Sequence, residues 1–493
     1  MRARLKSLPL LLLLAAAECS TKPPRKSSLQ ADTTRPAREW LRQEPVRLLS
    51  DYVRLQTTDA NGEKPGAEFL KRLFDCAGIE TEMVCPQGNR CNLLARLPGR
   101  SRQGALLLLN HIDVADVFPS FWRESRPFEA EIRLGYLYGR GAYDMKSLGL
   151  AEALAMRNLK ERGIVPASDV LFLAEADEEG GQEWGSRWLL EHRPEWFSGI
   201  TAVLNEGGTN EMILRTVRFW GVETVQAGFG LLEFEAPAVA PLKDLAERWS
   251  RVSSPSVEPL PDVVRGFDML ANHLSHPLTD PLRHLDRVRR DPVALAQLPD
   301  RYGAFLEARI KWFAGYPYPP ESHDNFRGYV VVSTPPGHSP DGYMAPIEAD
   351  AAGNRIRVVS RFSTGVTTAS PYLTPAGELV PLLAMIRRVT EAFYPGVPFG
   401  PVPTFGGSTT SIHFRQKGIA AYGYSPVPAN ITDSVRRHGN DERIFLRDYV
   451  DGVELYKELL LEFAFESDKN LHTTRAENDR FRRAGSSSVF VSN

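Results

Sequence analysis

Three short apolar runs constrain this chain more than any other feature. Residues 105–109 read Ala-Leu-Leu-Leu-Leu and stop at Asn110-His111. Residues 170–174 repeat the pattern, and residues 202–204 give a shorter third instance. A strand that is apolar at every position, without alternation, is buried on both faces, as in a parallel sheet covered by helices. Between the first two runs, residues 145–162 read as a helix. Leu148, Ala151, Ala155 and Leu159 mark its apolar face, and Gly163 stops it. The expected fold is α/β, a mostly parallel sheet flanked by helices.

Residues 216–372 break this rhythm. They are rich in Pro and Gly turns, with a short helical stretch at 282–290 and alternating strand signals at 327–333 and 355–362. A helix at 377–394, closed by Pro395, resumes the first pattern. Leu446, Tyr449, Val453, Tyr456, Leu460 and Phe463 then outline a terminal amphipathic helix. The simplest organisation is one α/β domain, residues 38–215 and 373–466, interrupted by an inserted α+β domain at 216–372. A polar tail follows at 467–493. The 493 residues, 42% hydrophobic, supply apolar surface for both domains.

The first twenty residues read as a signal peptide. Arg2, Arg4 and Lys6 precede an apolar run over 8–17, and Ala15-Ala16-Ala17 offers a cleavage site. That run is too short to span a bilayer as a helix. A polar linker follows at 21–37. The expectation is export, to the periplasm or the extracellular medium. Lipidation of Cys19 would add a membrane anchor, although Glu18 is not the small residue a lipobox wants. Export permits disulfides. Cys85 and Cys91 flank a turn-like segment at 86–90, while Cys76 competes as a partner for either. The formal net charge is −2, and no basic stretch is interleaved with aromatics, which argues against nucleic acid as a partner.

The chemistry-bearing residues sit where the strands end, the edge at which open parallel sheets bind ligands. His111 follows the first run, with Asp113 two residues on as an acceptor for the second imidazole nitrogen. Asp144 closes the glycine-containing segment 139–144 at the start of the helix, where an ordinary helix N-cap is the bland alternative. Asp177-Glu178-Glu179 follows the second run; three adjacent carboxylates repel unless a cation or solvent compensates. Glu206-Gly207-Gly208 follows the third, and His438-Gly439 precedes Asp441-Glu442-Arg443 and the terminal helix. Two imidazoles and several carboxylates at one sheet edge suit a zinc centre with mixed ligands.

In order and rough spacing, these segments resemble the di-zinc metallopeptidase family of aminoacylase, carboxypeptidase S, glutamate carboxypeptidase, acetylornithine deacetylase and succinyl-diaminopimelate desuccinylase. The resemblance covers about residues 40–215 and 375–465. It implies two zinc ions, with cobalt or manganese as alternatives. Asp144 would bridge them, His111 and Glu206 would complete one site, and Glu179 and His438 the other. Asp113 would orient His111, and Glu178 would be the general base. The inserted domain would be a lid that also supports a homodimer. The substrate would be a small peptide or an N-acyl amino acid.

The departures lie in the lid and the glycine-rich loop. The lid histidine of the family is absent from Arg251-Val252-Ser253-Ser254, with His338 as a candidate substitute. Arg361 is a candidate for binding the substrate carboxylate. Gly407 belongs to the substrate-side loop Phe405-Gly406-Gly407-Ser408, and Thr410 stands where an Asp is expected. Two alternatives accompany this reading: an exported metal-containing binding protein without turnover, and an unrelated α/β protein with a solvated acidic loop.

Overall fold

The computed structural model describes residues 29–465, except 214, 251–253, 274–278, 318–323 and 405–406. The expected signal peptide, Cys19, most of the linker, the tail, Arg251 to Ser253 and Phe405-Gly406 lie outside the described residues.

A six-stranded sheet forms the body. Its strands are β1 (Glu80–Gln87), β2 (Arg90–Leu97), β3 (Ser101–His111), β4 (Ser168–Glu175), β5 (Ile200–Asn205) and, much later, β10 (Ala420–Gly423), in the spatial order β1-β2-β4-β3-β5-β10. The last four in that order are mutually parallel, and β1 and β2 add an antiparallel edge. Strand β4 is buried at all its positions, and β3 from Gly104 onward. Side chains alternate between faces. Leu106, Leu108, Val170 and Phe172 point toward helices α1 (Lys146–Glu161) and α2 (Leu446–Phe465), whose Leu154 and Leu460 share that core. Leu107, Leu109, Leu171 and Leu173 meet Trp196, Phe197 and Phe414 on the opposite face. Truncating one such leucine to Ala costs about 2–5 kcal/mol. Helix α1 presses close on β3, since a Cβ on Gly149 would fall 2.5 Å from Asn110 Oδ1.

The inserted part contains a four-stranded antiparallel sheet of β6 (Gly228–Ala236), β7 (Arg309–Pro317), β8 (Phe326–Thr334) and β9 (Arg357–Ser363), ordered β7-β8-β6-β9. The helices Val239–Trp249 and Asp341–Gly353 cover one face, where Leu232, Phe234, Val330 and Val332 pack on Leu242, Leu245, Met344 and Ile347. The helices Pro261–His273 and Asp300–Gly303 pack Phe267, Leu270 and Tyr302 on Phe219, Val225 and Val402. The outgoing connection stays on the body through Trp220–Val222, which pairs with Phe399–Pro401. The returning connection is tied back by Ser370 N–H donating to Thr224 O.

Two local expectations shift, and the local disulfide is borne out. The helix expected at 377–394 spans Pro381–Phe393, because Thr374 to Gly377 form a hydrogen-bonded turn and Pro381 then opens the helix. Residues 29–37 are folded rather than a free linker: Leu29–Thr34 is helical and Asp32 is buried. Cys85 and Cys91 are bonded, and Cys76 is free and exposed. No helix among the described residues is long and apolar enough to cross a membrane.

Candidate active site

The carboxyl edge of the parallel strands gathers the expected residues. His111 ends β3, the 177–183 loop follows β4, and Glu206 follows β5. Asp144 lies just ahead of α1, but it is not the helix cap. That position is Met145, and no side chain caps the helix. The Asp144 carboxylate turns instead to the histidines: Oδ1 is 3.2 Å from His111 Nε2, and Oδ2 is 3.1 Å from His438 Nε2. His438 Nε2 also lies 3.0 Å from Glu179 Oε1, and His111 Nε2 lies 3.8 Å from Glu206 Oε1. Residues separated by some 300 positions thus share one carboxylate.

Backbone conformation aims these groups. His438 and Asp177 sit at φ +57° and +63°, the left-handed region that few side chains adopt. Asp177 does not crowd its neighbours. Its oxygens accept from the backbone N–H of Gly181 and Glu183, so it ties the loop while Glu178 and Glu179 face the cluster. Asp113 contributes twice. Its carbonyl lies 2.9 Å from His111 Nδ1, and its Oδ2 accepts from Glu179 N–H at 2.8 Å; its Oδ1 is 3.6 Å from the ring.

The cluster fits cations. Ligand atoms of His111, Asp144 and Glu179 lie within 4.8 Å of one another, as do those of His111, Glu178 and Glu206. Glu179 Oε1 is buried and takes no hydrogen bond of acceptable geometry, although His438 is near. Burial and the charges of Glu206 and Glu179 push the Glu178 carboxyl well up, against the pull of His111. For Asp144, burial acts upward but the two histidine hydrogen bonds win, holding it well below the usual range. So many acids around one spot need positive charge between them. His438 is 53% exposed, which leaves the cluster open on one side.

Six further side chains support the site, and of these only the exchange at Thr410 is singled out from the sequence. Glu442 is fully buried and accepts from Tyr143 N–H, Asp144 N–H and Arg140 Nη1; Arg140 Nη2 in turn donates to Gly439 O. This pair clamps the Asp144 segment to the His438 turn. Lys146 is buried, and its ammonium donates to Tyr52 O and Leu55 O, with burial pulling it down to about 7. Thr410, which stands in place of the expected Asp, donates to buried Glu175, whose other oxygen accepts from Ser186 N–H at 2.6 Å. The carboxylate at this spot therefore comes from β4. Gln182 Nε2 donates to Glu178 Oε1.

The candidate substrate contacts are not among the side chains of this cluster. Arg361 pairs with Asp341 at 2.6 Å and Glu348 at 3.2 Å, on a cleft of about 540 Å³ that Gly181 and Glu183 also line. His338 is exposed in a turn, where its carbonyl accepts from Thr334. Gly407 has open space around its Cα.

A sequence profile of the peptidase family M20/M25/M40 matches residues 107–462, which contain all five clustered ligand candidates. The chain belongs to peptidase family M20/M25/M40. Curated relatives include a probable succinyl-diaminopimelate desuccinylase of Staphylococcus aureus, 36% identical over 148 residues, covering 30% of this chain and 36% of that protein. The succinyl-diaminopimelate desuccinylase of Wolinella succinogenes is 30% identical over 193 residues, 38% of this chain and 50% of the relative. The chain thus spans between about a third and a half of these relatives. Among solved structures, an M20-family metallo-carboxypeptidase of Sulfolobus solfataricus has a TM-score of 0.65 at 15% identity, covering 86% of this chain and all of that one. Human carnosine dipeptidase 1 gives 0.64 at 16%, covering 90% of this chain and all of the human one. At such identities the two structures establish the M20 fold alone.

Proposed function

We propose that this M20-family protein hydrolyses an amide bond of a small peptide or N-acyl amino acid with two bound zinc ions. The observation that carries the reading is Asp144, which offers one oxygen to the side of each histidine. His111 and Glu206 would hold one ion, Glu179 and His438 the other, with Asp144 between them. Ions bound there supply Lewis acidity toward the scissile carbonyl and lower the pKa of water.

The chain's own residues do the rest. Asp113 fixes the His111 ring through its carbonyl and the Glu179 backbone through its carboxylate. Glu178, its carboxylate turned to the cluster beside Glu206, takes the proton of the attacking water and returns it to the leaving nitrogen. The desuccinylase relatives support an N-acyl amino acid as substrate. We further propose export, supported by the 1–20 pattern and the Cys85–Cys91 bond, and a homodimer through the lid, supported by the outer edges of β7 and β9, which pair with no other strand among the described residues.

The test is Glu178→Gln, which should keep its metal and lose about 10²–10⁴ in kcat on a panel of dipeptides and N-acyl amino acids. Near-normal turnover in this variant would remove the base from the mechanism.

A further inference from the structure

Beside the cluster, the 177–183 loop folds back on itself. Gln182 N–H donates to Asp177 O at 2.8 Å, and Gln182 adopts φ +54°, a conformation that side chains seldom accept. This bend returns its amide, only 5% exposed, to Glu178. Gln182 Nε2 donates to Glu178 Oε1 at 3.0 Å, and Gln182 Oε1 lies 3.2 Å from His413 Nε2. His413 is 9% exposed, on the short helix Ser411–Gln416.

With Glu178 ionised, the state in which a base acts, the polarity of this chain of contacts has one solution. A carboxylate only accepts, so the amide N–H must face Glu178. The amide oxygen then faces His413, whose ring must carry its proton on Nε2. Were Gln182 turned over, oxygen would oppose oxygen at Glu178.

We propose that Gln182 and His413 are positioning residues that fix which oxygen of Glu178 receives the proton. Gln182 engages Oε1, which leaves Oε2 as the accepting atom, and His413 prevents the amide from turning. The inference rests on Glu178 being the base.

The experiment compares Gln182→Met, His413→Leu and His413→Gln, each measured for metal content, kcat and KM on the same substrate panel. Gln at 413 can still donate from its amide nitrogen. The first two variants should lose about 10- to 100-fold in kcat, with KM and metal content unchanged within about twofold. His413→Gln should recover most of the loss. In a Glu178→Gln background, Gln182→Met should add nothing, because the two act as one unit. Folded, metal-loaded Gln182→Met and His413→Leu with kcat within about twofold of the parent would overturn the relay. So would losses that merely track metal content. Turnover surviving in Glu178→Gln itself would instead overturn the assignment of the base. Independently of activity, nitrogen-15 shifts of His413 should report the Nε2–H tautomer in the zinc-loaded protein; the Nδ1–H tautomer there contradicts the relay.

Discussion

Arg140→Met should break the clamp that holds two distant ligand-bearing loops together. Arg140 Nη1 lies 2.5 Å from Glu442 Oε2, with the side chains 2% and 0% exposed. Removing one partner of such a pair strands the other charge, at a cost of about 3–5 kcal/mol. Gly439 O loses a donor as well, while Glu442 keeps only the N–H groups of Tyr143 and Asp144. Denaturant unfolding of the metal-free protein, followed by circular dichroism, should show a loss of that size. Arg140→Met combined with Glu442→Leu should recover part of it, because no charge is left buried alone. Metal affinity should behave differently. Leucine cannot hold the Asp144 N–H, so the double variant should still bind zinc about 10- to 100-fold more weakly in chelator competition. Stability losses that simply add in the double variant, or zinc affinity at the parental level, would refute the clamp.

Two other outcomes follow from the same geometry. Burial pushes the Glu175 carboxyl up to about 7, above its unfolded value near 4.3. The folded state therefore holds an extra proton between those values, and its stability falls as pH rises through that window by roughly 1.4 kcal/mol per unit. Glu175→Gln should flatten the fall in metal-free protein between about pH 5 and 7; an unchanged slope counts against it. Arg361 is already engaged by Asp341 and Glu348, so Arg361→Met should change KM for substrates with a free carboxylate by less than about threefold. A rise of about tenfold or more in KM, with kcat kept, would return Arg361 to substrate binding.

The body of the fold was legible because burial on both faces leaves no choice of side chain. The runs at 105–109 and 170–174 became β3 and β4, and the residues just beyond them became the site. Polarity could not be read the same way. Asp177, Glu178 and Glu179 look alike in sequence, yet one ties a loop while two face the cluster, and only the fold of the 177–183 loop separates them. Asp144 suited a helix cap equally well until its partner His438, far along the chain, came into place. Glu442 and Gln182 carried no signal, because a residue that holds another is defined by its neighbours rather than by its own type. The exchange at Thr410 was visible, but the compensating Glu175 lies on a strand that reads as plain core.

The most direct measurement is metal stoichiometry taken together with hydrolysis. Purified protein should carry about two zinc ions per chain and cleave members of the dipeptide and N-acyl amino acid panel. A chelator should stop that cleavage, and added zinc should restore it. Hydrolysis that persists in metal-free protein, or a protein that takes up no zinc, would contradict the convergence of His111, Asp144, Glu179, Glu206 and His438 on a metal centre.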